Sequence, residues 1–248
     1  MASRPPIDKL QKIVGERNVK IQRERVLISP ENSQAVSEIV NLANGEKFKV
    51  LPLGSGSVLN LEKITSDNFV VLKSDKLNQI VRVVPEDLYV IVQAGFPLKD
   101  LNRHLESYNL FYPLADAGWA GTVGGSVATN LKGRVSERSV QTREYVLALE
   151  VIDPEGRVIR VGARTFKSVT GYDLARLFVG SWGTLGFISE VSLRLLPARK
   201  RKDYPSVALD QPARSSHKNR RDLKAALSSR IKESLDPNAV FPGFEYLA

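Results

Sequence analysis

Phe48-Lys-Val-Leu-Pro-Leu53 followed by Gly54-Ser-Gly-Ser57 is a short apolar strand that empties into a loop of glycine and serine. Glycine lets the backbone approach a ligand closely, and successive N–H groups in one concavity hold an anion without a basic side chain. Upstream, Val26-Leu27-Ile28 reads as a strand stopped by Ser29-Pro30. Between the two, Gln34 to Asn44 reads as an amphipathic helix with Val36, Ile39, Val40 and Ala43 on one face. Glu31-Asn32-Ser33 offers its N-cap and Gly45 its stop. Strand, helix, strand and glycine loop make one α/β unit.

Working outward, Ile7 to Val19 is expected to be a short helix and a turn, and Phe69 to Leu72 a strand. Gln79–Val84 and Leu88–Ala94 are β-branched runs joined by Pro85-Glu-Asp87. Pro97 to Tyr108 has helical spacing, with Leu98, Leu101, Asn102 and Leu105 inward. A glycine-rich stretch, Ala117 to Gly125, leads into Ser126–Asn130. Tyr145–Ile152 and Arg157–Val161 are strands around the turn Asp153-Pro-Glu-Gly156. A short helix at Asp173–Val179 precedes a further glycine cluster, and Phe187–Leu196 is a strand ended by Pro197. Residues Ala198 to Ser216 read as a polar linker or exposed loop. Order resumes in a helix at Asn219–Leu235, with Leu223, Ala226, Leu227, Ile231 and Leu235 as its stripe, closed by Asp236-Pro-Asn238 and followed by an apolar coil at Val240–Phe244.

With no cysteine, the chain can carry no disulfide, thiolate zinc site, iron–sulfur cluster or cysteine nucleophile. His104 and His217 are its only histidines, too few for a histidine-based metal site or a Ser-His-Asp relay, and no metal is expected. Net charge is +9, but Arg199 to Lys224 holds nine Lys/Arg and three Asp within 26 residues, which leaves +3 for the other 222. No apolar run is long enough to span a bilayer, and Met1-Ala-Ser-Arg-Pro-Pro6 has no apolar signal core. A cytoplasmic protein is expected, placed at the inner face of the membrane only through a complex.

Two more glycine clusters, Gly121-Thr-Val-Gly-Gly-Ser126 and Gly180-Ser-Trp-Gly-Thr-Leu-Gly186, share the look of the first. None has the Gly-Lys-Ser/Thr ending of a phosphate-binding P-loop. Gly54-x-Gly56 meets Leu59 where the dinucleotide fingerprint needs a third glycine. Singly, each reads as a tight turn. Together, interleaved with hydroxyl residues, they point to a large phosphorylated cofactor.

The order Pro52-Leu-Gly-Ser-Gly-Ser57, Val92-Gln-Ala-Gly95, Tyr112-Pro113, Gly121-Thr-Val-Gly-Gly125, Ala128-Thr-Asn130, Lys167-Ser-Val-Thr-Gly-Tyr-Asp-Leu174, Leu177-Phe-Val-Gly-Ser181 and Gly183-Thr-Leu-Gly186 resembles the FAD-linked oxidase family. This is the fold shared with vanillyl-alcohol oxidase, and the nearest likeness is to FAD-binding subunits of glycolate oxidase and D-lactate dehydrogenases. The resemblance implies an α+β, two-lobed FAD-binding domain of the PCMH type. A first lobe covers 1–74, a second 75–197, a basic linker 198–218, and a C-terminal helix with a family-like tail 219–248. It also implies contacts to FAD from Pro52, Leu53, Gly54, Ser55, Gly56 and Ser57, with the backbone of Gly54–Ser57 on the pyrophosphate. Pro113, Asp116, Thr122, Gly124, Gly125, Ala128, Thr129 and Asn130 would wrap the ribityl chain and flavin. Gly183, Thr184, Leu185, Gly186 and Ile188 would approach the adenosine end.

The chain departs from that family in one main respect. Leu235-Asp-Pro-Asn-Ala-Val-Phe-Pro-Gly243 resembles the family's ending, yet only about 20 residues separate it from the FAD domain, where relatives usually carry a substrate-binding cap. Trp182 stands where relatives often have an acidic residue, and reads equally as a core aromatic. With no Cys, and no His in a glycine loop, FAD is expected to be non-covalent, and no catalytic residue is assigned. The resemblance implies an FAD-binding subunit of a 2-hydroxy-acid oxidising complex, accompanied by a cap-bearing flavoprotein and an iron–sulfur subunit. The alternative is a non-catalytic scaffold supporting a catalytic homologue. Arg199–Lys202 suits peripheral contact with a membrane or an acidic partner. Nucleic acid is not expected, because only Tyr204 interleaves with these basic residues.

Overall fold

The structure, a computed structural model, describes residues 5–22, 25–59, 69–163, 174–210 and 223–243, with the side chains of 223–227 outside that description. Part of the family-like motif at Lys167–Asp173, His217 and Arg220-Arg221 therefore lie outside the described residues. Helix α1 (Ile7–Val14) leads through a 3₁₀ turn into β1 (Val19–Gln22), a strand not anticipated because its burial is slight and it carries no apolar run. Strand β1 forms an antiparallel pair with β2 (Arg25–Ile28). Helix α2 (Ser33–Glu46) then crosses to β3 (Lys49–Leu53), and β4 (Phe69–Lys73) inserts between β2 and β3. Both contacts of β4 are parallel. Parallel strands covered on two faces should be continuously apolar. Phe69-Val-Val-Leu72 is: Val70 and Leu72 face the α1/α2 side, and Phe69 and Val71 the other.

Asn32 caps α2 by accepting the Ala35 N–H at 2.8 Å. Gly45 does not end this helix. The turn continues to Glu46, and Lys47, at φ 61°, closes it. Asn44 explains the extension, because its amide donates to the Pro154 carbonyl (2.7 Å) and anchors the last turn against the second lobe.

The second lobe is built on an antiparallel sheet of order β11-β10-β12-β6-β5. Its first hairpin is β5 (Ile80–Val84) and β6 (Tyr89–Gln93). The expected single helix after Pro97 is a 3₁₀ turn, α3 (Leu101–Leu105) and a second 3₁₀ turn, closed by left-handed Asn109. Asn102 splits its hydrogen bonds between the N–H and C=O of Tyr112, pulling the chain back into β7 (Leu110–Phe111). Helix α4 (Val123–Thr129) occupies what reads in sequence as glycine loop. The hairpin β8 (Lys132–Val135) and β9 (Arg138–Gln141) follows, also unanticipated, since its outward residues are charged. Then come β10 (Val146–Ile152) and β11 (Val158–Gly162), whose turn is held by Asp153 accepting from Glu155 and Arg157 N–H. The short α5 (Ala175–Phe178), β12 (Phe187–Arg194) and β13 (Leu196–Pro197) complete the lobe.

The described part of the expected linker, Ala198 to Asp210, has regular structure. Residues Ala198–Asp203 form a 3₁₀ helix, and β14 (Ala208–Leu209) pairs with β8. Arg201 fastens the segment, bonding Asp116 at 2.7 Å and lying over the Phe111 ring. Arg199, Lys200 and Lys202 remain exposed. Helix α6 (Leu223–Leu235) packs through Ile231, whereas Leu235, placed on the buried stripe from sequence, is 40% exposed. No helix among the described residues is long and apolar enough to cross a membrane.

The first-lobe core is not made by the first lobe alone. Ile152 and Phe187 from the second sheet, and Val240 and Phe241 from the tail, are all buried in it. Val50 N–H bonds the Val240 carbonyl at 2.8 Å, so the tail extends the edge of β3. Phe241→Ala should cost about 3–5 kcal/mol in denaturant unfolding, the range for emptying a buried aromatic site. A loss below about 1 kcal/mol would contradict that placement of the tail.

Candidate cofactor cleft

The seam between the lobes opens into two adjoining hollows, about 490 and 400 Å³ when the space open to solvent is counted in, that share Pro52, Leu53, Gly54, Gly125, Ala128 and Trp182. Strand β3 delivers the first glycine loop to one wall. Helix α4 supplies the floor with its Gly124–Thr129 face, and the loop before β12 supplies the other wall. Of the residues implied by family likeness, Pro52, Leu53, Gly54, Ser55, Gly56, Ser57, Gly124, Gly125, Ala128, Thr129, Gly183, Gly186 and Ile188 come together here. Trp119, Ser74, Ala94, Val58, Leu59 and Phe187 join them without having been singled out. The chain has two tryptophans, and both line the cleft, a coincidence of composition that sequence reading could have weighed.

Six implied residues do not line either hollow. Thr122 sits behind the wall, where its hydroxyl accepts the Gly125 N–H and caps α4. Asn130 ends α4 and bonds Gln141 and the Arg143 N–H. Thr184 and Leu185 are buried. Pro113 opens a 3₁₀ turn in the second-lobe core, and Asp116 is exposed and paired with Arg201. Beside Pro113, burial pushes the Tyr112 phenol up, against the hydrogen bond from its hydroxyl to Thr142, so it stays neutral. Tyr145 is likewise raised by burial and then by its hydrogen bond with Tyr204. His104 lines neither hollow and sits edge-on to Phe96 at 5.3 Å with Nδ1 against the Asp100 carbonyl.

The three glycine loops differ in what they leave free. In the first, the N–H groups of Gly54, Ser55 and Gly56 donate to nothing among the described residues, and Ser57 N–H makes only a long 3.4 Å contact to Ser55 Oγ. Gly56 has φ 77°, the left-handed turn that gathers these donors. In the third, Gly183, Leu185 and Gly186 also keep unspent N–H groups among the described residues. The middle loop is different. Val123 and Gly124 N–H bond the Phe96 and Ala94 carbonyls, and Gly125 N–H bonds Thr122. Its glycines serve packing, since a Cβ on Gly124 would lie 2.6 Å from that of Ala94. Of three loops that look alike in sequence, two keep unspent donors among the described residues.

No ionisable side chain among the described residues lines either hollow. Unspent N–H groups on facing walls suit a pyrophosphate, and the indoles of Trp119 and Trp182 with Leu53, Leu59 and Ile188 suit an extended aromatic ligand. These residues fit FAD. Trp182 holds φ 58°, unusual for a bulky residue, and is fixed there by its N–H to the Ala128 carbonyl at 2.9 Å.

Gly56→Arg should eliminate flavin binding while costing about 1–2 kcal/mol of stability for the left-handed backbone. Full flavin content in a folded G56R protein would remove the first loop from the site. Because dipoles rather than cations face the ligand, FAD affinity should change by less than about threefold between roughly 0.05 and 0.5 M salt, although the protein is basic. A steep fall with salt in a fluorescence titration would instead place lysine or arginine on the phosphates.

Comparison with known proteins agrees with this geometry. A family model described as "FAD binding domain" matches residues 25–162. The mitochondrial D-lactate dehydrogenase [cytochrome] of Arabidopsis thaliana is 35% identical over 170 residues, 68% of this chain and 30% of that protein. Glycolate oxidase subunit GlcD of Bacillus subtilis is 36% identical over 177 residues, 71% of this chain and 38% of that protein. D-2-hydroxyglutarate dehydrogenase of Stutzerimonas stutzeri is 32% identical over 171 residues, 68% of this chain and 37% of that protein. The chain thus spans about a third of the length of these relatives. Among solved structures, 4-ethylphenol oxidase from Gulosibacter chungangensis superposes with TM-score 0.65 at 16% identity, covering 77% of this chain and 42% of that one, a likeness of fold. With more than half of its length matched by the "FAD binding domain" model and its glycine loops gathered at one cleft, the chain belongs to that FAD-binding domain family.

Proposed function

We propose that this chain is the FAD-holding subunit of a complex that oxidises a 2-hydroxy acid of the glycolate or D-lactate type, with its flavin bound non-covalently. The observation that carries the proposal is a cleft with unspent N–H donors on two walls and no ionisable side chain on any, among the described residues. Bound FAD supplies a two-electron acceptor for the carbon–hydrogen bond next to the hydroxyl. The chain's own residues bind and orient it. The N–H groups of Gly54, Ser55 and Gly56 and those of Gly183, Leu185 and Gly186 take the phosphates, while Trp119, Trp182 and Leu53 keep water from the ring.

Oxidising a hydroxyl also requires a base for its proton, and a carboxylate substrate requires a cation. None of the cleft residues provides either. The span from Ala198 to Asp222, between β13 and α6, is short for the cap that supplies those groups in the family this chain resembles. A partner subunit covering the cleft would supply them and exclude water. Electrons would leave through a second partner of the iron–sulfur type. Exposed Arg199, Lys200 and Lys202 are suited to an acidic subunit or an anionic membrane face at the cytoplasmic side.

The second reading, a scaffold that keeps the fold without using flavin, is favoured by Trp182, whose indole lines both hollows and takes up ligand space. Affinity capture from the native source followed by anaerobic addition of glycolate or D-lactate separates the two. The proposal expects a cap-bearing flavoprotein and a cysteine-rich subunit to be captured, and this chain's flavin to bleach only in the complex. Bleaching at the same rate in the isolated chain would contradict the need for a partner. Capture of a chain without flavin beside an active homologue would establish the scaffold.

A further inference from the structure

Helix α6 reaches the third glycine loop through one cation. Lys232 Nζ donates to the carbonyls of Thr184 (2.7 Å) and Phe241 (3.0 Å), and to the Asp236 carboxylate one helical turn on. The Asp236 side chain is fully buried and accepts the N–H groups of Val240 and Phe241, each at 2.9 Å. Lys232 is itself only 12% exposed. A buried ion pair is a poor source of net stability, because desolvation offsets most of the attraction. Its placement is more informative than its energy. The Thr184 carbonyl and the Leu185 N–H belong to one peptide group, so a cation at that oxygen draws electrons away from that N–H and strengthens it as a donor. Leu185 N–H is one of the unspent donors of a loop whose Gly183 and Gly186 line the cleft.

We propose that Lys232 and Asp236 are positioning residues for the cofactor: the ammonium of α6 locks the Gly183–Gly186 loop and polarises the Thr184–Leu185 peptide for phosphate binding. This rests on the reading that the cleft takes FAD. It makes the tail motif around Asp236 part of cofactor affinity, although none of its residues lines the cleft. The same pair couples cofactor binding to packing of the tail, since Asp236 holds the segment whose Val240 and Phe241 complete the first-lobe core.

The test uses Lys232→Met, which keeps the apolar stem, and the double variant Lys232→Met/Asp236→Asn, which also removes the stranded buried charge. Three quantities are read: thermal stability of the apo chain, FAD affinity from tryptophan quenching, and amide exchange at Trp182 and Thr184. The Trp182 amide bonds the Ala128 carbonyl of α4 and the Thr184 amide bonds the Ser181 carbonyl, so both report on how firmly the loop is held. K232M should weaken FAD by about tenfold or more, the loss of a charged hydrogen bond, and speed exchange at both amides. The double variant should regain apo stability without regaining affinity. Unchanged affinity in K232M, or affinity that returns together with stability in the double variant, would overturn the proposal and leave Lys232 a folding residue. If the unmutated chain takes no FAD, the cofactor reading fails by itself. Exchange still decides the lock, and unchanged rates at Trp182 and Thr184 would overturn it.

Discussion

The two lobes meet at a backbone crossing that tolerates no side chain. Gly95 N–H bonds the Leu77 carbonyl at 2.7 Å, and a Cβ on Gly95 would lie 1.8 Å from the Ser74 carbonyl. That contact presses the chain just after β4 against the end of β6. One residue earlier, the Ala94 carbonyl receives Gly124 N–H from α4. The first glycine loop, the floor helix and the second sheet are therefore registered by main-chain bonds, and the cleft is the space these bonds leave between them. Interior packing transmits such constraints because it is dense and only slightly compressible. The tail adds the last tie, entering the first-lobe core while Lys232 holds the opposite wall.

A basic protein thus offers an uncharged site. The net +9 of the chain is concentrated around residues 199–224, and the described cations of that stretch are spent on surface attachment or left in water. In the cleft, peptide dipoles replace side-chain charges. Fixed dipoles require no reorganisation when a charge arrives, and they do not attract every anion that diffuses past. Such a site suits a cofactor that stays bound. It is poorly suited to moving protons, since no ionisable side chain among the described residues lines it.

Elements with local punctuation were legible in the sequence. Pro85-Glu-Asp87 and Asp153-Pro-Glu-Gly156 mark hairpins whose strands fall within a residue or two of expectation, and Asp153 closes its turn through its own side chain. Helix α4 was illegible because glycines at 124 and 125 argue against helix. It forms because Thr122 caps it, a local signal that the glycines mask, and because Gly124 packs on Ala94, which is not local information. The hairpin β8–β9 has charged outward residues and gains its order from β14, which lies in a stretch that reads as linker. The glycine loops were found by composition and family likeness together, but which of them kept free donors depended on tertiary partners. Lys232 carried no signal at all, since its acceptor on Thr184 is 48 residues away.

At the centre stands a fold that holds FAD by peptide dipoles and apolar walls, with no covalent bond and no cation lining the cleft among the described residues. The most direct measurement is the visible absorption spectrum of the purified chain before and after acid precipitation. The expected result is an oxidised-flavin spectrum near one FAD per chain, with all of the flavin released into the supernatant. A colourless chain that takes up no added FAD would contradict it, and flavin that stays with the precipitate would contradict non-covalent binding.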